Sequence, residues 1–155
     1  MAVSELMERV QRLVREEAED FVDADEDLPP VLFMDTPSGV VEARLAHVWD
    51  MNELREFVCR VALPEGIMNF KASRAVLSCG IWALPPGVEA PCEEAYCEGC
   101  GETHTRWLPI HEHPSRLEVH LLIEMTHEGV VDWQIAYMGR DPLGQEPPTL
   151  SEWES

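Results

Sequence analysis

Residues 116–140 read RLEVHLLIEMTHEGVVDWQIAYMGR, and this stretch decides the fold. Leu117, Val119, Leu121, Ile123 and Met125 occupy every second position, and Val131, Trp133, Ile135 and Tyr137 repeat the pattern further on. Successive side chains of a strand point to opposite faces, so each set lines one face. His127-Glu128-Gly129 supplies turn chemistry between them. The spacing predicts an antiparallel hairpin of residues 116–126 and 130–140. It also puts His120 and Glu124 together on the face opposite the apolar one.

Working outward, Val31 to Asp35 reads as a short strand, Thr36-Pro37-Ser38-Gly39 as a turn, and Val40 to Trp49 as a returning strand. Ser73 to Leu84 (SRAVLSCGIWAL) is rich in β-formers and stops at Pro85 and Pro86. His104 to Ile110 is a further short strand. Two helical patterns precede the main strands. In residues 4–21, Val3, Leu6, Met7, Val10, Leu13, Val14 and Phe21 form one stripe, with Ser4 as N-cap. In the second, Asp50 and Glu53 suggest a capping box. Met51, Leu54, Phe57, Val58 and Val61 form its stripe, and Pro64 with Gly66 is expected to end it. Helices followed by strands imply an α+β fold, an antiparallel sheet of about five to six strands with two helices. The chain of 155 residues fits one domain, residues 1–140, with an acidic linker at 16–30 and a cysteine loop at 87–104. Residues 141–155 have no period and read as a C-terminal tail that Trp153 can anchor.

The cysteine loop carries the best chemical signal. Cys92, Cys97, Cys100 and His104 are spaced Cys-x4-Cys-x2-Cys-x3-His. Gathered thiolates repel one another unless a cation neutralises them, and this donor set suits a tetrahedral Zn²⁺. Cys97-x-x-Cys100-Gly101 looks like a zinc knuckle, in which the backbone turns both sulfurs toward one metal. Cys79, His111 or His113 are alternatives to His104 as fourth ligand. A redox Cys-x-x-Cys pair lacks its usual βαβ setting, and an iron–sulfur cluster lacks a fourth cysteine downstream. A complete Cys₃His shell leaves no position for water, so the expected zinc is structural rather than catalytic.

A second constellation is His111, Glu112 and His113, with His120 on the following strand. In an extended run His111 and His113 point the same way, and Glu112 is then a candidate general base for a metal hydrolase. Scattered exposed histidines beside a turn are the simpler reading. Glycine-rich phosphate loops, nucleophile elbows and His-Glu-x-x-His are absent. Asp23, Asp25 and Asp27 lack the glycine and closing glutamate of a calcium loop.

The charge limits the partners. There are 30 Asp+Glu against 11 Lys+Arg, a formal net charge of -19. Such a chain repels phosphate backbones, so direct nucleic-acid binding is not expected. No apolar run is long enough to span a bilayer, and the start lacks the charged and apolar regions of a secretory signal. Five cysteines, an odd number, argue against a disulfide framework. The expected setting is the reducing cytoplasm.

Several short motifs carry a resemblance. They are Asp23-Ala-Asp-Glu-Asp-Leu-Pro-Pro30 leading into a strand, Ile81-Trp82 closing one, and Glu112-His113-Pro114-Ser115-Arg116-Leu-Glu118-Val119 opening a hairpin. Gly139-Arg140-Asp141 and Glu152-Trp153-Glu154 complete the set. Through them the chain resembles a loosely defined group of small phage and bacterial proteins with no assigned activity. The resemblance implies a phage or mobile-element origin, and the loop from Pro91 to His104 departs from its pattern. The expected function is a non-enzymatic acidic binding protein with a structural zinc, acting on a protein partner, a basic one if the charge is used. The alternative is a small metal-dependent hydrolase built on His111, Glu112, His113 and His120.

Overall fold

The computed structural model describes residues 3–20, 28–45, 56, 60–61, 63–89, 92–107, 109–143 and 145–155, with only the backbone of Trp107 and His111. The expected helix at 50–61, with Met51, Leu54, Phe57 and Val58, therefore lies almost wholly outside the described residues. So does the acidic stretch at 21–27.

The chain enters through helix α1 (Glu5–Asp20) and then the hairpin of β1 (Val31–Thr36) and β2 (Gly39–Arg44). A short helix α2 (Leu63–Asn69) precedes the long strand β3 (Arg74–Ala83). Strands β4 (Cys92–Tyr96) and β5 (Thr103–Trp107) form a separate two-stranded sheet. A single 3₁₀ turn (Ile110–Glu112) leads to β6 (Leu117–Thr126), β7 (Gly129–Gly139) and the two-residue β8 (Thr149–Leu150). The main sheet is antiparallel with order β2-β1-β3-β6-β7-β8. The protein is thus α+β, with a six-stranded sheet, a small second sheet and two described helices.

Strand alternation gives the main sheet two apolar faces. Val31, Phe33, Val76 and Leu122 meet the stripe Leu6, Met7, Val10, Val14 and Ala18 of α1. Leu32, Met34, Ala75 and Leu77 meet Leu63 and Ile67 of α2 on the other side. Each fully buried side chain of this size contributes roughly 1.5–3 kcal/mol. Ser4 caps α1 as its chemistry predicts. Its Oγ accepts the N–H of Met7 at 3.1 Å and donates to the Glu124 carboxylate.

Pro64, expected with Gly66 to end the preceding helix, lies in the first turn of α2. Proline lacks the N–H that a first turn leaves unpaired, so its ring is tolerated there. The helix closes in a Schellman motif: Ala72 N donates to Ile67 O at 3.0 Å and Lys71 N to Met68 O at 3.1 Å. The motif forces Lys71 to a φ of 53°, a left-handed backbone that glycine adopts more easily.

The β6–β7 hairpin forms with its turn at 127–128, and of the expected apolar set Val119 is 2% exposed and Met125 packs on the core beneath α2, but the opposite face is buried as well. His120 and Glu124, expected opposite the core, are 1% and 2% exposed on the α1 side. Val131 and Trp133, expected inside, are 53% and 51% exposed. Both faces of the sheet carry apolar residues, and α1 covers the one that bears Leu122. The buried polar groups find partners from elsewhere. Glu124 accepts from Ser4 and pairs with Arg74 at 3.3 Å, and Ser78 Oγ lies 2.7 Å from His120 Nε2.

Residues 141–155, expected as a tail, complete the sheet. Leu150 and Thr149 pair with Met138 and Gly139 of β7, and Ile135 exchanges both backbone hydrogen bonds with Glu154. Arg15 of α1 donates to the carbonyls of Leu150 and Ser151, each at 2.8 Å. Gly139 permits the approach, because a Cβ there would stand 2.9 Å from Thr149 Oγ1. Trp153 does anchor the segment: it packs against the α1 core and meets the His120 ring edge-on, centroids 6.4 Å apart. Among the described residues, no helix is long and apolar enough to cross a membrane.

Candidate metal centre

The β4–β5 hairpin pairs Cys92 with Trp107 at its base and Tyr96 with Thr103 at its tip. The tip is a tight turn: Cys97 N donates to Glu102 O at 2.9 Å and Gly101 N to Cys97 O at 2.8 Å. Gly101 takes a φ of +74°, which relieves the crowding that a side chain would meet at this bend. The turn carries both Cys97 and Cys100, and His104 is the second residue of β5 just beyond it. The Sγ atoms of both cysteines and a ring nitrogen of His104 lie within 4.8 Å of one another. This group can hold a metal ion.

The local electrostatics favour thiolate. The Cys97 thiol is held below its ordinary pKa by the backbone N–H of Cys100, by the Cys100 side chain and by the N–H of Gly99; slight desolvation opposes them. N–H groups aimed at a sulfur stabilise its charged, metal-binding form. Cys100 Sγ and His104 Nε2 share a hydrogen bond of 2.9 Å. Two such donors on one zinc stand roughly 3.6 Å apart, from the bond lengths and tetrahedral angle. Metal binding therefore replaces that hydrogen bond, opens the pair by under about 1 Å and releases its proton.

Cys92, expected as the first ligand, is not in the group. The sequence reading left residues 92–96 in a loop, but they form β4, and an extended strand advances roughly 3.3 Å per residue. Cys92 therefore stands at the base of the hairpin while its expected co-ligands are at the tip. Neither alternative ligand that the structure describes joins the group. Cys79 is buried in β3, and His113 Nδ1 accepts the N–H of Ser115 at 3.0 Å. None of the described cysteines is in a disulfide.

The histidine constellation is not assembled. His111 and Glu112 lie in the 3₁₀ turn and His113 at its end, so the two-residue alternation of a strand does not apply there. The side chain of His111 is outside those described. His120 is in the core, hydrogen-bonded to Ser78, with burial lowering its pKa from 6.5 to about 4. Its Nδ1 and the indole Nε1 of Trp153 are buried without a hydrogen-bond partner among the described residues. Ser78 and His120 are polar members of the core, and their cross-strand relation was hidden because 42 residues separate them.

The sequence reading also missed a groove of about 420 Å³ between α1 and the β1–β2 hairpin. Leu13, Val31 and Phe33 form its floor, and Glu16, Glu17, Asp20 and Glu42 rim it, with Arg44 at one side. Arg44 lies 3.9 Å from Glu42. Three of the rim carboxylates follow Arg15 at the C-terminal end of α1, where the helix dipole already presents negative potential and the last turn holds no basic residue. Helix periodicity alone marks these glutamates as solvent-facing; only the packing of α1 on β1 turns them toward a concavity.

Comparisons with protein-family models, with curated proteins and with solved structures find no match.

Proposed function

We propose that the chain is a non-enzymatic acidic binding protein that acts on a basic segment of a protein partner, with zinc stapling its β4–β5 hairpin. The observation that carries this reading is the acid-rimmed groove. Its floor can bury an apolar side chain while four carboxylates around it repel anions and attract lysine or arginine. The helix end adds to the pull, since a cationic partner relieves carboxylates placed against the dipole. Zinc on Cys97, Cys100 and His104 fixes the hairpin, and Tyr96, 68% exposed, gives that hairpin an aromatic contact. A reducing cytoplasm, where such thiols stay available to metal, and a phage or mobile-element origin belong to the same reading.

The test is affinity capture with peptides of defined sequence, an apolar residue flanked by lysine or arginine, compared with acidic and neutral versions. The account expects the basic peptide to bind at low salt and be released at high salt. It expects the combined substitution Glu16→Gln, Glu17→Gln and Glu42→Gln to weaken capture. Binding that ignores ionic strength, or that prefers the acidic peptide, contradicts it.

A further inference from the structure

Cys97 and Cys100 stand apart from the other described cysteines. Their Sγ atoms lie within 4.8 Å of each other, whereas Cys79 is buried in β3 and Cys92 is at the base of the hairpin. The turn that carries the pair is closed by two backbone hydrogen bonds, Cys97 N to Glu102 O at 2.9 Å and Gly101 N to Cys97 O at 2.8 Å. Gly99 lies between them, and a Cβ there would stand 3.8 Å from Cys97 Sγ, so that sulfur is packed along the turn. Cys100 is exposed and Cys97 half-buried. Access to solvent and a second thiol beside the first are the traits of a redox-sensing cysteine pair.

The surroundings select the oxidant. Glu94, Glu98 and Glu102 are exposed around the tip, and Arg106 is paired with Glu93 at 3.6 Å. These carboxylates repel anionic disulfides within a Debye length of roughly 8 Å. Hydrogen peroxide is neutral and small, so the same charges do not exclude it.

We infer that Cys97 and Cys100 form a peroxide-sensitive dithiol, which closes to a disulfide within the β4–β5 turn. The exposed Cys100 sulfur attacks one peroxide oxygen; the O–O bond breaks, hydroxide leaves and a sulfenic acid forms. The Cys97 sulfur then attacks that sulfur; the S–O bond breaks and a second hydroxide leaves. The sulfurs give up two electrons, the peroxide gains them, and both hydroxides take protons from the thiols or from solvent to become water. Such a switch does not need the βαβ setting of a disulfide oxidoreductase. The disulfide spans the same turn but leaves a metal ion with His104 alone, so oxidation discharges the ion. That consequence rests on the metal reading above; the dithiol itself does not.

Peroxide treatment of the zinc-loaded full chain tests this. Cleavage after glutamate, without reduction, separates residues 95–98 from residues 99–102 at Glu98 unless a disulfide joins them. The expected mass spectrum of the monomer shows the two peptides joined and parted again by dithiothreitol, with one zinc released to a chromogenic chelator for each bond formed. Cys97→Ser should abolish the joined peptides. Sulfurs that stay reduced, a bond to Cys92 or to another chain, or sulfinic acids without a bond overturn the inference. A chain that binds no zinc yet joins these peptides upholds the dithiol and removes the metal reading.

Discussion

Replacing His120 by glutamine should lessen the acid sensitivity of the fold. Burial lowers the imidazole pKa from 6.5 to about 4. Above pH 6.5 the ring is neutral whether the chain is folded or not. Below it, the unfolded chain takes up a proton that the core refuses, and stability falls until the folded pKa is reached. The full difference is about 3 kcal/mol, and most of it has been lost by pH 4.5. Glutamine can keep a hydrogen bond to Ser78, now 2.7 Å from His120 Nε2, but does not titrate. At pH 7.5 the imperfect replacement should cost about 1 kcal/mol. At pH 4.5 the variant should therefore be the more stable of the two. Urea denaturation followed by tryptophan fluorescence at both pH values measures this, and the comparison cancels contributions from the carboxylates and metal ligands that both proteins share. Stability curves that run parallel from pH 7.5 to 4.5 would refute the buried neutral histidine.

Three further outcomes follow from the packing. Lys71→Gly should stabilise the protein by roughly 0.5–1 kcal/mol, because glycine adopts the left-handed backbone at the end of α2 without strain; thermal denaturation checks it. Met7→Ala should cost about 2–5 kcal/mol, since the side chain is fully buried between α1 and the sheet. Trp153→Ala should expose the edge of β7, raising amide hydrogen exchange at Ile135 and Tyr137, whose N–H groups bond to the C-terminal segment.

The sheet was legible where strand alternation and turn chemistry coincided. Residues 116–140 announced two strands because every second position is apolar and a glycine-closed turn lies between. What alternation does not reveal is which face a helix will cover. His120 and Glu124 looked solvent-facing because their partners, Ser78, Ser4 and Arg74, are far away in sequence. Strand β4 went unseen because CEEAY is polar and exposed on both faces, so no apolar period marks it. The same oversight placed Cys92 among the ligands: spacing along a line suggests a cluster, but an extended strand carries its first residue away from its last. Strand β8 is two residues long amid prolines, and its stability comes from β7, Arg15 and Trp153 rather than from its own sequence. Cys97, Cys100 and His104 were legible because one turn of a hairpin suffices to bring them together.

The zinc content of the purified full-length protein, compared with Cys97→Ser and Cys92→Ser, tests the centre of this account. One zinc per chain in the wild type and in Cys92→Ser, lost from Cys97→Ser, is the expected result. A wild type without metal, or a Cys97→Ser variant that keeps it, would contradict a metal-stapled hairpin.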